Sequence, residues 1–319
     1  IIGSLCGHLE LIQTPEAEKT ATQLKSFIEG HADLCRLISA EEASKIAGIP
    51  VNFPSLYFPN TGWISPVSLC KTLIEHPNIN VLYQTEALNL HLHANSWKIL
   101  DSQHQLITDA DIVIIANAAD AKNFSQTSWI PVKKIRGQTT EISATTQSNE
   151  LKTVVCHEGY IAPSHNGKHC IGATFDLHDQ TMDILEEDHQ KNISALRDAL
   201  PGLTSHDETI NVLGGRVSFR TSSADYLPLC GPVPLLDDFL RDYHRLRYDA
   251  RFDIDIPGSY WPNLYLNTGH GARGISYTPL CADWLASLID DGVRPMSADM
   301  SLSIHPARFI IKNIIRNKM

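Results

Sequence analysis

Leu264-Tyr265-Leu266-Asn267-Thr268-Gly269-His270-Gly271-Ala272-Arg273-Gly274-Ile275-Ser276-Tyr277 is the stretch on which the fold turns. Leu264–Asn267 reads as a strand, the glycine-rich run as a turn, and Ile275–Ile289 as a helix. Gly269, Gly271 and Gly274 satisfy G-x-G-x-x-G between a strand and a helix. Glycines there let backbone N–H groups approach a ligand, and the helix N-terminus adds partial positive charge. A dinucleotide fingerprint also needs a second strand closed by an acid, and Asp290-Asp291-Gly292 reads as a turn. Two readings stay open from the residues alone: a ligand cradle, or a turn that only packs a helix on a sheet.

Outward from this stretch the pattern mixes α/β with antiparallel segments. Ile112-Val113-Ile114-Ile115-Ala116 is apolar at every position, which suits a strand covered on both faces. Thr14-Pro15 opens an N-capped helix stopped by Gly30, and Ser39-Ala40-Glu41-Glu42 is a capping box for a helix closed at Gly48. Leu56–Ile64 with Ser65-Pro66 reads as β-turn-β-α. Val81–Tyr83, the alternating Leu88, Leu90 and Leu92, Trp97–Leu100, Val132–Ile142, Lys152–Val155, Tyr160–Pro163, Cys170–Thr174 and Val212–Phe219 read as strands. Thr181–Leu200 reads as a long helix ended by Pro201, Leu235–Asp255 as a charged solvent-facing excursion, and Pro306–Lys318 as a basic helix.

The 319 residues are 43% apolar and 19% charged, enough for a sizeable core. Lys and Arg total 26 against 36 Asp and Glu, a net charge of −10; a general nucleic-acid coat is thereby excluded. The seven cysteines are scattered and never CxxC, so they read as reduced core thiols rather than a disulfide frame or zinc ribbon. His91-x-His93 and His165 with His169-Cys170 lack the spacing of a zinc site, so no metal is expected. No apolar run approaches the roughly 20 residues of a membrane span, and a cytoplasmic protein is expected. The chain opens on Ile1-Ile2-Gly3-Ser4 without an initiator Met, so a longer protein is expected. In the tail, Arg308, Lys312, Arg316 and Lys318 alternate with Phe309, Ile310, Ile311, Ile314 and Ile315; docking by the apolar face is favoured over RNA contact.

Four segments in order, Arg136-Gly137-Gln138, then Gly159-Tyr160-Ile161-Ala162-Pro163 with Ile171–Thr174, then Arg216–Arg220 with Asp225–Gly231, then Gly269–Gly274 with Pro279-Leu280, resemble the D-amino-acid oxidase and glycine oxidase superfamily of flavoenzymes. Gly62–Pro66 and Asn123–Ser128 are closer to the FAD-dependent half of the bacterial bifunctional proteins that make 5-methylaminomethyl-2-thiouridine in tRNA. The resemblance runs from about Cys6 to Arg316. It implies an incomplete Rossmann-like FAD-binding domain (60–128 and 258–319), intertwined with an antiparallel-sheet substrate domain (1–59 and 129–257), glycine oxidase-like. The first FAD-binding βαβ of the family and its methyltransferase half are not matched here, so a preceding FAD-binding segment is expected. Where the family has a glycine after Ala-Asn, this chain has Ala118.

The resemblance also implies roles. Arg220, eleven residues before Gly231, falls where relatives hold the substrate carboxylate, and a guanidinium offers that group a planar two-pronged match. Tyr160 falls where a phenol faces substrate, and Arg216 is a second anion contact or, by preference, an ion-pair partner. Gly269, Gly271, Ala272, Gly274 and Ile275 would present backbone to the flavin, with Arg273, Arg136 and Gln138 along its ring, Ala116-Asn117-Ala118 beside it, and Ala87, on a strand, at the adenine. The expected activity is FAD-dependent removal of the carboxymethyl group from 5-carboxymethylaminomethyl-2-thiouridine at the tRNA wobble position, leaving the aminomethyl base and glyoxylate. A SAM-dependent methyltransferase would act next. The alternatives are an oxidase of free glycine, sarcosine or D-amino acids, and a catalytically silent fragment or binding module.

Overall fold

The computed structural model describes residues 1–203 and 210–318, and the chain divides into two units. The first comprises Ile1–Asn80 and Arg136–Phe219, the second Val81–Ile135 and Arg220–Met319. These boundaries differ from those expected at 59/60, 128/129 and 257/258. Residues 60–80 belong to the first unit, whereas 129–135 and 220–257 belong to the second. Two of the crossings fall inside long strands, Val132–Ser143 and Val212–Ser223, where hydropathy gives no signal of a boundary.

In the first unit, an eight-stranded sheet runs Val212–Ser223, Val132–Ser143, Lys168–Gly172, Tyr160–Ile161, Val154–Cys156, His8–Leu11, Ser55–Phe58, Arg36–Ile38. His8–Leu11 is parallel to Val154–Cys156, and its other neighbour, Ser55–Phe58, is antiparallel. Strand alternation sends Leu9, Val155, Ile161 and Ile171 to one face, where they are buried with Ile193 and Leu196 of helix Glu186–Ala199. The other face displays His8, Glu10, Cys156 and Tyr160.

The caps form as the sequence indicates. Thr14 Oγ1 accepts from Ala17 N–H at 3.1 Å and Ser39 Oγ from Glu42 N–H at 3.2 Å, while Gly48 takes φ +77° to end its helix. Two expectations fail here. The first helix breaks at Leu24 into Pro15–Gln23 and Lys25–Gly30. The helix expected from Thr181 begins only at Glu186, because the extended run before it is tied down: Thr181 O and Asp183 O accept from Arg136, and Leu185 N–H and O bond the Gln138 side chain.

The second unit holds two three-stranded sheets. One orders Leu229–Pro234, Tyr260–Thr268 and Val113–Ile115, the last pair parallel; the other is the antiparallel meander Asn89–His93, Ser96–Leu100, Leu106–Ala110. Val81–Tyr83 forms no strand, and all three residues are exposed. Nor is the 112–116 run covered on both faces: its strand shrinks to Val113–Ile115 at the sheet edge, and Ile112 and Ile114 are exposed. The charged 235–255 segment is more than a solvent excursion. Phe239 and Leu246 are buried from it against Ile310 and Ile314 of the tail helix Arg308–Ile315, which docks by its apolar face as expected. The cysteines are all free, but Cys70 is exposed rather than a core thiol.

Candidate cofactor and substrate site

Tyr260–Thr268 is followed by the turn at Gly269, a short 3-10 segment Gly271–Arg273, and helix Gly274–Ile289. Gly269 and Gly271 sit at φ +77° and +58°, the left-handed region that a side chain disfavours. The helix start carries no side-chain cap and no acid in its first turn, so its leading amides have no internal acceptor there. Leu266 pairs in parallel register with Ile115, which brings Ala116-Asn117-Ala118 beside the glycine turn at the carboxyl ends of two parallel strands. Ligands of open α/β sheets settle at such strand ends. Thr268 Oγ1 clamps the two loops together by donating to Ala118 O at 2.8 Å. Ala118 adopts φ +57°, the left-handed region that a glycine enters at no steric cost.

The strand that carries Arg220 runs to the same turn. Arg220 is half-buried on the strand Val212–Ser223, and two residues later Ser222 pairs with His270 inside the glycine turn. Asn267 Oδ1 and His270 Nε2 are buried without a hydrogen-bond partner among the described residues. Buried polar atoms normally find partners, so these two mark a place shaped for something polar; sequence reading singled out neither. The neighbouring Cys230 pulls the Cys281 thiol below its ordinary value, burial opposes this, and His270 adds to the pull. The turn thus fits a flavin cofactor: left-handed glycine backbone, uncapped helix amides and unsatisfied polar atoms lie within one short stretch.

Other expected residues are placed differently. Ala87 lies in a coil before Asn89–His93 rather than on a strand. Ala272, Arg273 and Ile275 are exposed. Gln138 is fully buried and spent internally: Oε1 accepts from Leu185 N–H and Nε2 donates to Leu185 O, both at 2.8 Å. Arg136, 1% exposed, is bound to Asp188 and to the carbonyls of Thr181 and Asp183. Both are scaffold side chains, which corrects the expectation that they line a flavin ring.

Tyr160, in the first unit, is half-buried, with its hydroxyl 3.6 Å from Cys170 Sγ. Gly159 beside it lacks room for any Cβ, which would stand 2.7 Å from Gly172 O. Arg216 is exposed and forms no ion pair among the described residues, so the preferred ion-pair role finds no support. On the sheet face opposite Tyr160 is a cavity of about 240 Å³ lined by His157, Gly159, Gly172, Asp188, Lys191 and Asn192. His157 Nδ1 accepts from Gly159 N–H, and burial pushes its imidazole down to about 4. His169 is no ligand candidate, since its two ring nitrogens bond Ala162 O and Ser148 Oγ.

Comparison with known proteins identifies the family. The family model described as FAD dependent oxidoreductase matches residues 2–288. The tRNA 5-methylaminomethyl-2-thiouridine biosynthesis bifunctional protein of Saccharophagus degradans is 36% identical, over 99% of this chain and 45% of its own length. Its counterpart in Pseudomonas syringae pv. tomato is 37% identical, over 98% of this chain and 47% of its own length. The chain therefore spans about half the length of these relatives. Among solved structures, glycine oxidase from Geobacillus kaustophilus superimposes with a TM-score of 0.76 at 17% identity, covering 96% of this chain and 75% of that one. This likeness shows a glycine oxidase-like fold. With a family match over most of its length and a glycine cradle that suits the cofactor, the chain belongs to the FAD dependent oxidoreductase family.

Proposed function

We propose that this chain is the oxidase part of a larger tRNA-modifying protein, removing the carboxymethyl group from 5-carboxymethylaminomethyl-2-thiouridine at the wobble position. One observation carries the reading: Arg220 lies two residues from the Ser222–His270 bridge, beside the glycine turn. When bound, FAD supplies a two-electron acceptor for the hydride leaving the carbon between the amine and the carboxylate. Gly269, Gly271, Gly274 and the first helical amides would hold it, with Ala116, Asn117 and Ala118 at its other side. Arg220 grips the substrate carboxylate bidentately and so fixes which hydrogen is presented. The resemblance would further assign the Tyr160 hydroxyl to the amine and Arg216 to a secondary anion contact. Loss of hydride and a proton turns the C–N bond into an imine; water adds, the C–N bond breaks, and the aminomethyl base and glyoxylate separate. A SAM-dependent methyltransferase, on the same longer protein or beside it, then methylates the freed amine. The setting is the cytoplasm, where tRNA is modified; among the described residues no helix is long and apolar enough to cross a membrane.

The exposed Ile112 and Ile114, the first just before and the second within the edge strand Val113–Ile115, support one further part of the reading, that a preceding βαβ segment of the longer protein covers them and completes the FAD site. The decisive experiment mixes the chain with FAD and undermodified tRNA and measures glyoxylate. Glyoxylate from tRNA, with no bleaching of the flavin by glycine or sarcosine, is the expected result. The converse pattern identifies a free amino-acid oxidase, and no flavin bands at all identify a silent fragment. Arg220→Lys keeps the charge but loses the planar fork, and is expected to weaken carboxylate binding by about 2 kcal/mol or more, read as a raised KM.

A further inference from the structure

His8, Glu10 and Cys156 stand together on the sheet face that also carries Tyr160. Glu10 and Cys156 are register partners on the parallel pair His8–Leu11 and Val154–Cys156, and His8 is two residues from Glu10 on the same face. A His8 ring nitrogen, a Glu10 oxygen and Cys156 Sγ lie within 4.8 Å of one another. The other face of these strands is core, with Leu9 and Val155 fully buried, so both backbones are fixed from behind.

The histidine is prepared for a ligand role. Thr61 Oγ1 spends its own hydrogen on Phe58 O at 2.8 Å, so it accepts from His8 Nδ1–H, also at 2.8 Å. That bond sets the tautomer and leaves the lone pair on Nε2. Phe58 stacks on the imidazole with ring centroids 4.4 Å apart and an interplanar angle of 10°, which holds the ring's plane. An outer-shell acceptor on one ring nitrogen is the usual support of a metal-binding histidine.

We propose that His8, Glu10 and Cys156 form a three-ligand site for a borderline-soft divalent cation, with Zn²⁺ as the best match to one nitrogen, one oxygen and one sulfur donor. Zinc takes such ligands at about 2.0 to 2.3 Å, and three protein donors leave its fourth position to water or an incoming ligand. Binding draws the three side chains inward, and the Cys156 thiol proton is released to solvent as the Zn–S bond forms. The spacing of these residues, 148 positions apart in the sequence between Cys156 and His8, matches no zinc motif, because parallel pairing alone brings them together.

The test is a Co²⁺ titration of the protein followed by difference absorption. A thiolate-to-cobalt charge-transfer band that saturates at one equivalent and is displaced by Zn²⁺ is the expected result. Cys156→Ser should abolish the band, whereas Cys70→Ser, at an exposed thiol, should leave it unchanged. Thr61→Val removes no ligand yet should weaken Co²⁺ binding by roughly 10-fold, the scale of outer-shell effects. Should Cys156→Ser fail to fold, Glu10→Gln on the exposed strand face gives the same reading through lost affinity. No band in the unaltered protein, or a band that survives in Cys156→Ser, overturns the site.

Discussion

Arg136 is 1% exposed, and its guanidinium is matched by Asp188, 5% exposed, together with the carbonyls of Thr181 and Asp183. Taking both charges out of water costs several kcal/mol per ion, and the paired geometry is what offsets it. Arg136→Met therefore leaves a buried carboxylate with only Lys191 at 3.1 Å, and the expected loss is about 3 kcal/mol, the low end for breaking a buried pair. Urea unfolding at neutral pH measures it. The pH dependence follows from Asp188. Burial pushes its carboxyl up, but the Arg136 and Lys191 bonds outweigh this and hold it below the ordinary carboxylate value. A carboxyl lowered on folding contributes stability above its unfolded value, near 3.9, and loses it as pH falls further. The parent protein should thus lose its advantage over Arg136→Met progressively as pH falls below the unfolded value; a gap that persists once the carboxyl is protonated would point to packing rather than charge. The motif made Arg136 visible in the sequence, but not its role, since its partner lies 52 residues away and only the fold pairs them.

At the scale of elements, the strand, glycine turn and helix at 260–289 were legible because each has a local cause: alternation, conformational freedom, then helical periodicity. The neighbouring loop was legible too, as Ala116-Asn117-Ala118 ends an apolar run. What periodicity did not give was the width of cover, since an edge strand and a central one have the same apolar run and differ only in what packs on them. It also missed Leu106–Ala110, Leu236–Asp242 and Ala298–Ile304, short elements held by neighbours rather than by propensity. Gly271→Val separates the two readings of the turn. A Cβ there meets nothing nearer than Ser222 Oγ at 3.5 Å, so the branch point itself has room, and the φ of +58° is penalised by about 1 to 3 kcal/mol. If the turn cradles flavin, FAD affinity measured by fluorescence quenching should fall by roughly 10-fold or more, about 1.4 kcal/mol of binding. A turn that merely packs the helix predicts the stability loss with flavin affinity intact.

For the whole chain, a net charge of −10 opposes any broad embrace of nucleic acid, so on the proposed function contacts with phosphate have to come from a local cluster. The tail offers one, though smaller than the sequence suggests. Arg308 is held by Asp225 through two guanidinium bonds at 2.8 and 2.9 Å, and burial notwithstanding, that pairing keeps the Asp225 carboxyl at about 2. Such a guanidinium is committed to the fold. Phe309, Ile310 and Ile314 are likewise buried, which leaves Lys312, Arg316 and Lys318 as the tail's share of an RNA contact. Each phosphate neutralised contributes a slope of about −0.7 to −0.9 in log K against log salt, so three contribute roughly −2 to −3. Replacing these three by Gln should flatten the measured slope of tRNA association by about that amount. Arg308→Gln should leave the slope unchanged and instead lower the unfolding midpoint, because its charge is already answered within the protein. A slope that stays the same in the triple variant would place the RNA contact on some other surface, and a slope that falls with Arg308→Gln would show that the Asp225 pair opens to receive phosphate.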